Sequence, residues 1–331
     1  MRNAERITWI DTAKAFGIIY VVVGHVLFNE SIKSWLIGFH MPLFIFLSGY
    51  LFNDKDIIEV WKSKTKSMIR PYCFFSIVSI LYYWVIECRF RNLSFSILQS
   101  ILGGVFCYIP YMNNAPLWYL PCAYIVVVAY ALLRKKLSAK LLLVVGALAN
   151  TLYWAVGMDT LLYKFPYELP RVLDLFVYYC IGAFVAGYKS SLEDFLKSKR
   201  NSNKGKIFFC GISVAFYSIG FLISQNQLYK SPGFSIVIAM LGIMGTVFLS
   251  CLTENAIIRI IGKGSLFILC THAIIYRLII GICSRVLHLP SVVFRSNIIL
   301  SILVVVTTII SCLILEVPYN RIKIKVLKTG R

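Results

Sequence analysis

The sequence predicts an all-α polytopic membrane protein with about ten transmembrane helices and cytoplasmic N- and C-termini, and three observations carry that prediction. Of its 331 residues, 59% are hydrophobic and 15% charged, more apolar side chain than a soluble core of this size hides. The apolar residues fall in runs of about 20, the length that crosses ~30 Å of hydrocarbon as a helix. The net charge of +20 is dealt out in small clusters between those runs. A nucleic-acid binder would gather it on one face, so it reads as a topology signal and no nucleic acid is expected.

Taken in order, the runs lie near residues 7 to 28, 36 to 52, 71 to 88, 116 to 133, 141 to 157, 172 to 188, 207 to 224, 234 to 252, 264 to 284 and 297 to 316. With the N-terminus placed inside, the segments on that side hold 24 of the 34 lysines and arginines and the outer segments 8, while Lys14 and Arg277 lie within spans. That bias puts both termini in the cytoplasm. The third run opens on Pro71, which suits the first turn of a helix. Residues 95 to 115 are apolar but broken by Gly103, Gly104 and Pro110. They read as an outer-face amphipathic or re-entrant element, since irregular backbone at membrane depth must be buried in protein or line a cavity.

The ten cysteines all sit in apolar segments without a C-x-x-C pair, so they read as small buried hydrophobes and imply no disulfide framework and no metal. The first apolar run is longer than a signal-peptide core and carries Asp11 and Lys14, so it is expected to stay as an anchor. Residues 1 to 331 read as one transmembrane domain with no appended soluble domain.

The first run, RITWIDTAKAFGIIYVVVGH from Arg6 to His25, is where chemistry enters. Ionisable side chains in a span are costly and mark function by default. Lys14 and His25 are eleven residues apart, three turns plus roughly 20°, so they leave one helix face about 16 Å apart along the axis. Asp11 joins that face at i−3 from Lys14, where opposite charges neutralise each other. In the ninth run His272 sits mid-membrane with Arg277 five residues on, and neither is explained by contact with lipid.

An acid followed by Lys-x10-His, then a second span reading FHMPLFIFLSGYLF, resembles the membrane-bound acyltransferase-3 family of bacterial integral-membrane O-acyltransferases. PLWYLPCAY around Trp118 and Tyr119, IGKGSLFILCTHAIIYR around His272, and the closing LILEVPYN around Glu316 are similar to further elements of that family. The family's Arg-x-x-Arg pattern, thought to serve the acyl-CoA donor, has Ser67 in its first place here, so only Arg70 carries over. Val317 replaces an arginine after Glu316.

The resemblance implies acetyl-CoA or another acyl-CoA as cytoplasmic donor substrate with no bound cofactor. It implies as acceptor a hydroxyl of a cell-surface polysaccharide, lipopolysaccharide or lipid-linked sugar, and as location the bacterial inner membrane. Lys14, Lys66 and Arg70 would then meet the donor's phosphates, His25 would serve as general base or transient acyl carrier, and Asp11 would neutralise Lys14.

Other residues keep two readings. His40 suits an interfacial histidine above the Pro42 kink or a substrate contact. Trp118 and Tyr119 suit a headgroup belt or a sugar-stacking platform. His272 and Arg277 would orient His25 or hold substrate, and Glu316 would pack or pair with Arg70 or Lys14. Ser48 and Gly49 suit close helix approach, and Asp174 suits an interfacial ion pair with Arg171. A donor from inside and an acceptor from outside call for an enclosed passage open at both ends. The alternative is a transporter or flippase for a lipid-linked sugar, which would also carry buried charges near the midplane.

Overall fold

The computed structural model describes residues 7–91, 96–225, 231–253 and 255–329. Its elements are α1 (Thr8–Val26), α2 (Glu30–Tyr50), α3 (Ile57–Glu87), α4 (Ile97–Phe106), α5 (Tyr119–Arg134), α6 (Ala139–Ala155) and α7 (Leu169–Ala186). Then come α8 (Lys189–Arg200), α9 (Asn203–Gln225), α10 (Phe234–Leu252), α11 (Ala256–Lys263), α12 (Ser265–Val286) and α13 (Ile298–Thr329). Among the described residues nine helices are long and apolar enough to cross a membrane. The fifth expected span is α6, whose 17 residues stand at the lower limit for crossing. The protein is therefore all-α and polytopic.

The helix bearing the ionisable stripe lies at the centre. α1 packs against α2, α10, α11, α12 and α13, and Ala13, Ala15, Ile18, Val21 and Val22 are fully buried. The outer faces of α9 and α13 carry exposed Ile207, Val214, Leu222, Ile299 and Leu303, the composition of a lipid-facing surface. Backbones touch where glycine permits. A Cβ on Gly49 would fall on the Tyr179 carbonyl oxygen, and one on Gly182 on that of Phe46, so α2 and α7 meet along their main chains, as small residues allow in membranes. Gly262 of α11 meets the carbonyl of Asp11 in the same way.

Two expectations need correcting. The third span does not begin at Pro71: α3 runs unbroken from Ile57, with π-helical turns at Thr65–Ile69 and Tyr83–Glu87. Pro71 lacks an N–H and crowds the carbonyl four residues back. The π turn directly before it absorbs that misfit without ending the helix. The cysteines are not uniformly interior: six are buried, but Cys73 and Cys210 are exposed on outward faces where a thiol behaves as a small hydrophobe.

The broken segment does not form a full span. At 10 residues α4 is half the length of a span, and left-handed Cys107 ends it. The chain then turns through Ile109–Tyr111 and Ala115–Trp118 into α5. Tyr72 Oη donates to the Gly104 carbonyl at 2.6 Å, and Asn114 Nδ2 donates to the Cys270 carbonyl at 2.8 Å and to Ser79 Oγ at 3.2 Å. Such bonds satisfy backbone that lipid would leave unpaired.

Candidate active site

The end of the bundle where α1 begins is called here the near end, and the end where it finishes the far end. Each holds a cavity. The near cavity, about 330 Å³, is lined by Asp11, Lys14, Lys64, Ser67, Lys263 and Ser48 among others. The far cavity, about 510 Å³, is lined by His25, His40, Trp118, Arg171 and Asp174 among others. One helix thus presents an acid and an ammonium to one chamber and an imidazole to the other, as the spacing of Asp11, Lys14 and His25 requires.

The two cavities share no lining residue. Neighbours in sequence face opposite ways: Trp118 lines the far cavity and Tyr119 the near one, and Met41 and Pro42 line the far cavity while Phe44 lines the near one. The rings of Phe44 and Tyr119 stand 6.2 Å apart between centroids, and a Cβ on Gly17 of α1 would already press on Phe44. These side chains stand where the two linings adjoin.

At His25 three elements converge. His272 of α12 is fully buried, and its ring centroid lies 5.2 Å from that of His25. Its Nδ1 lies 2.9 Å from the Ile268 carbonyl and 3.0 Å from that of Leu269. Carbonyls only accept, so Nδ1 carries the proton and Nε2 a lone pair. That Nε2 is buried and has no hydrogen-bond partner among the described residues. Arg295 donates from Nη2 to the His25 carbonyl at 2.8 Å and from Nε to that of Val26 at 3.1 Å. It caps the last turn of α1, where a cation and its donors meet orphan carbonyls. Nothing local in the sequence links positions 25 and 295.

His40 is buried on the far-cavity wall, with Nδ1 donating to the Leu36 carbonyl at 2.5 Å, which leaves Nε2 as an acceptor. Pro42 has no N–H to give the Gly38 carbonyl, and Gly38 lines the same cavity. Trp118 also lines it, with the Arg171 guanidinium 4.1 Å above its ring centroid, so Trp118 belongs to the cavity and not to a headgroup belt.

The expected Arg171–Asp174 pair does not form. Arg171 Nε pairs with Glu168 at 3.3 Å, the left-handed residue directly before α7. Asp174 Oδ1 instead accepts from Asn150 Nδ2 at 2.8 Å and Trp154 Nε1 at 3.0 Å.

The remaining residues fall elsewhere. Arg70 and Lys66 are exposed and do not line the near cavity, where Lys64, Ser67 and Lys263 stand instead. The π turn at Thr65–Ile69 shifts the face that α3 presents. Arg277 is five residues from His272, about 140° around the helix. It stacks on Tyr83, hydrogen-bonds the Tyr83 hydroxyl, and lines a third cavity of about 600 Å³ with Glu87 and Arg285. Glu316 lies over Gly264 at the start of α12 and accepts from Asn320 at 3.4 Å. Among the described residues it pairs with neither Arg70 nor Lys14.

The fold is that of a polytopic membrane protein whose far cavity is lined by His25, with the buried ring of His272 beside it. The family model described as an acyltransferase domain matches residues 7–317, and the chain belongs to this membrane acyltransferase-3 family. No curated protein and no solved structure matches it. It is a multi-pass membrane acyltransferase.

Proposed function

We propose that the protein, working as one transmembrane unit in a bacterial inner membrane, moves an acetyl group from cytoplasmic acetyl-CoA to a hydroxyl of a surface polysaccharide or lipid-linked sugar. The single observation that carries this reading is α1 itself, with Lys14 in one cavity and His25 in the other. The excess of lysine and arginine on the near side makes that side cytoplasmic. Lys14, Lys64 and Lys263 give its cavity three ammonium groups for a donor rich in phosphate.

In the far cavity the acceptor hydroxyl meets His25. An N–H of His25 directed to the lone pair of His272 Nε2 leaves the other ring nitrogen basic. That nitrogen takes the hydroxyl proton as the oxygen attacks the thioester carbonyl. The C–S bond then breaks, and the imidazolium returns the proton to the departing CoA thiolate. His272 and Arg295 act through His25 as positioning residues.

The test is purified protein in nanodiscs supplied with radiolabelled acetyl-CoA and lipid-linked or surface glycans from the host. Label in the glycan with release of free CoA thiol is expected, and His25→Ala should lower it by about 10²- to 10⁴-fold, the usual worth of a general base. Translocation of glycan without any CoA release would replace this reading with a transporter.

A further inference from the structure

The far cavity carries a polarity that an acyltransferase reading alone does not require. Each of its two lining cations has a carboxylate of its own: Lys33 Nζ lies 3.3 Å from Glu30 Oε1, and Arg171 Nε lies 3.3 Å from Glu168 Oε2. Its two lining carboxylates, Asp159 and Asp174, form no salt bridge among the described residues. The Asp174 carboxylate is held rigidly. Asn150 and Trp154 both bind Oδ1, Asn150 Oδ1 in turn accepts from Ser235 Oγ at 3.0 Å, and Asn150 Nδ2 also reaches the Asp174 carbonyl at 3.2 Å. Oδ2 is left to the cavity. His40 Nε2 and the Gly38 carbonyl add two more acceptors on the wall, and Trp118 adds a flat apolar face.

We infer that this cavity selects an uncharged, hydroxyl-rich pyranoside and rejects a sugar bearing a carboxylate beside the reacting hydroxyl, with Asp174 making the choice. The inference rests on the acyl-transfer reading for its role but not for its test. A cavity walled by acceptors needs a ligand that brings donors, and sugar hydroxyls bring them. A second carboxylate would face Asp174 and Asp159 in a partly dehydrated space, where like charges repel. Trp118 supplies the face on which a pyranose ring lies, and Asp174 Oδ2 accepts from a hydroxyl next to the one handed to His25. Asp174 is thereby a specificity residue for the acceptor, fixed by α6 and not by its own helix.

Binding is read without any acyl donor, from quenching of tryptophan fluorescence in nanodiscs by methyl glucoside, galactoside and mannoside and by the matching methyl uronates. At least one neutral glycoside is expected to bind about tenfold or more tightly than its uronate. Asp174→Asn, which keeps the Oδ1 bonds but removes the charge, should shrink that gap to within about threefold. Asp159→Asn provides the second variant should Asp174→Asn fold poorly, and it should narrow the gap in the same direction.

Uronates bound as tightly as neutral sugars, a gap unchanged by either substitution, or quenching by none of the glycosides would each overturn the inference. Selective glycoside binding by a protein that never releases CoA would leave it standing and remove acyl transfer instead.

Discussion

His272 presents a buried, unpartnered Nε2 beside His25, with the two ring centroids 5.2 Å apart and its Nδ1 tied to carbonyls of its own helix. A buried acceptor left unpaired costs about 1–3 kcal/mol, and such a cost persists at sites where it serves function. In the proposed mechanism an N–H of His25 turned to that lone pair leaves its other ring nitrogen free.

His272→Leu should therefore lower transfer strongly while the protein keeps or gains thermal stability. A loss of about 10- to 100-fold is expected, the range found for groups that orient metal-bound histidines. His272→Gln retains a side-chain acceptor at comparable reach and should recover part of that loss. Turnover and the unfolding temperature in detergent, measured on both variants, check this. A fall in stability matching the fall in rate would make His272 a packing residue only.

Arg295→Ala should weaken catalysis through the backbone of His25. Its guanidinium spans the His25 and Val26 carbonyls, and a cation at a helix C-terminus contributes about 0.3–2 kcal/mol. The expected signature is a lower kcat with an unchanged KM for acetyl-CoA. Lys in its place restores charge without the two-pronged geometry and should recover less than half of the loss.

The features that the sequence exposes are those set within one helix. The face shared by Asp11, Lys14 and His25 follows from helical spacing alone, and both cavities honour it. What the sequence conceals is set between helices. The ring pair of His25 and His272 joins α1 to α12, and Arg295 arrives from the segment before α13. Asp174 follows the same rule: local spacing offers it Arg171, yet Glu168 takes that cation and α6 supplies Asn150 and Trp154. Pro71 misleads for a related reason, because a proline at a helix start and a proline relieved by a π turn look alike as letters.

On the donor side the placement of cations reverses the order suggested by the family pattern. Lys64 and Lys263 line the near cavity, and Arg70 is exposed away from it. A hydrogen bond to a charged group is worth about 1.5–3 kcal/mol, so Lys64→Ala or Lys263→Ala should raise the KM for acetyl-CoA about tenfold or more. Arg70→Ala should raise it less. Saturation curves for the three variants decide the order.

Glycine positions separate packing from access. Gly24 lines the far cavity and a Cβ there meets nothing within 4 Å, so Gly24→Leu should fold normally, fill the chamber and suppress acceptor use. Gly182→Ala places its Cβ against the Phe46 carbonyl oxygen and should cost about 1–3 kcal/mol through overpacking. Expression yield and unfolding temperature should drop for the second variant and not for the first.

The wall between the chambers makes the last prediction. Lys14, which meets the donor's phosphates, and the imidazole of His25 are about 16 Å apart along α1, and Phe44 and Tyr119 line the near cavity beside Met41, Pro42 and Trp118 of the far one. If those rings close the route, transfer requires them to swing aside and admit the acyl-bearing arm of the donor, a motion on the microsecond to millisecond scale of lids and gates. Enlarging the wall with Phe44→Trp should then slow turnover while donor binding, measured by protection or direct titration, stays unchanged. Removing it with Tyr119→Ala should join the chambers and let water reach the thioester, so acetyl-CoA hydrolysis without acceptor should rise relative to transfer. Equal transfer and hydrolysis rates in both variants and the parent would mean that the donor reaches His25 by a route that does not pass this wall.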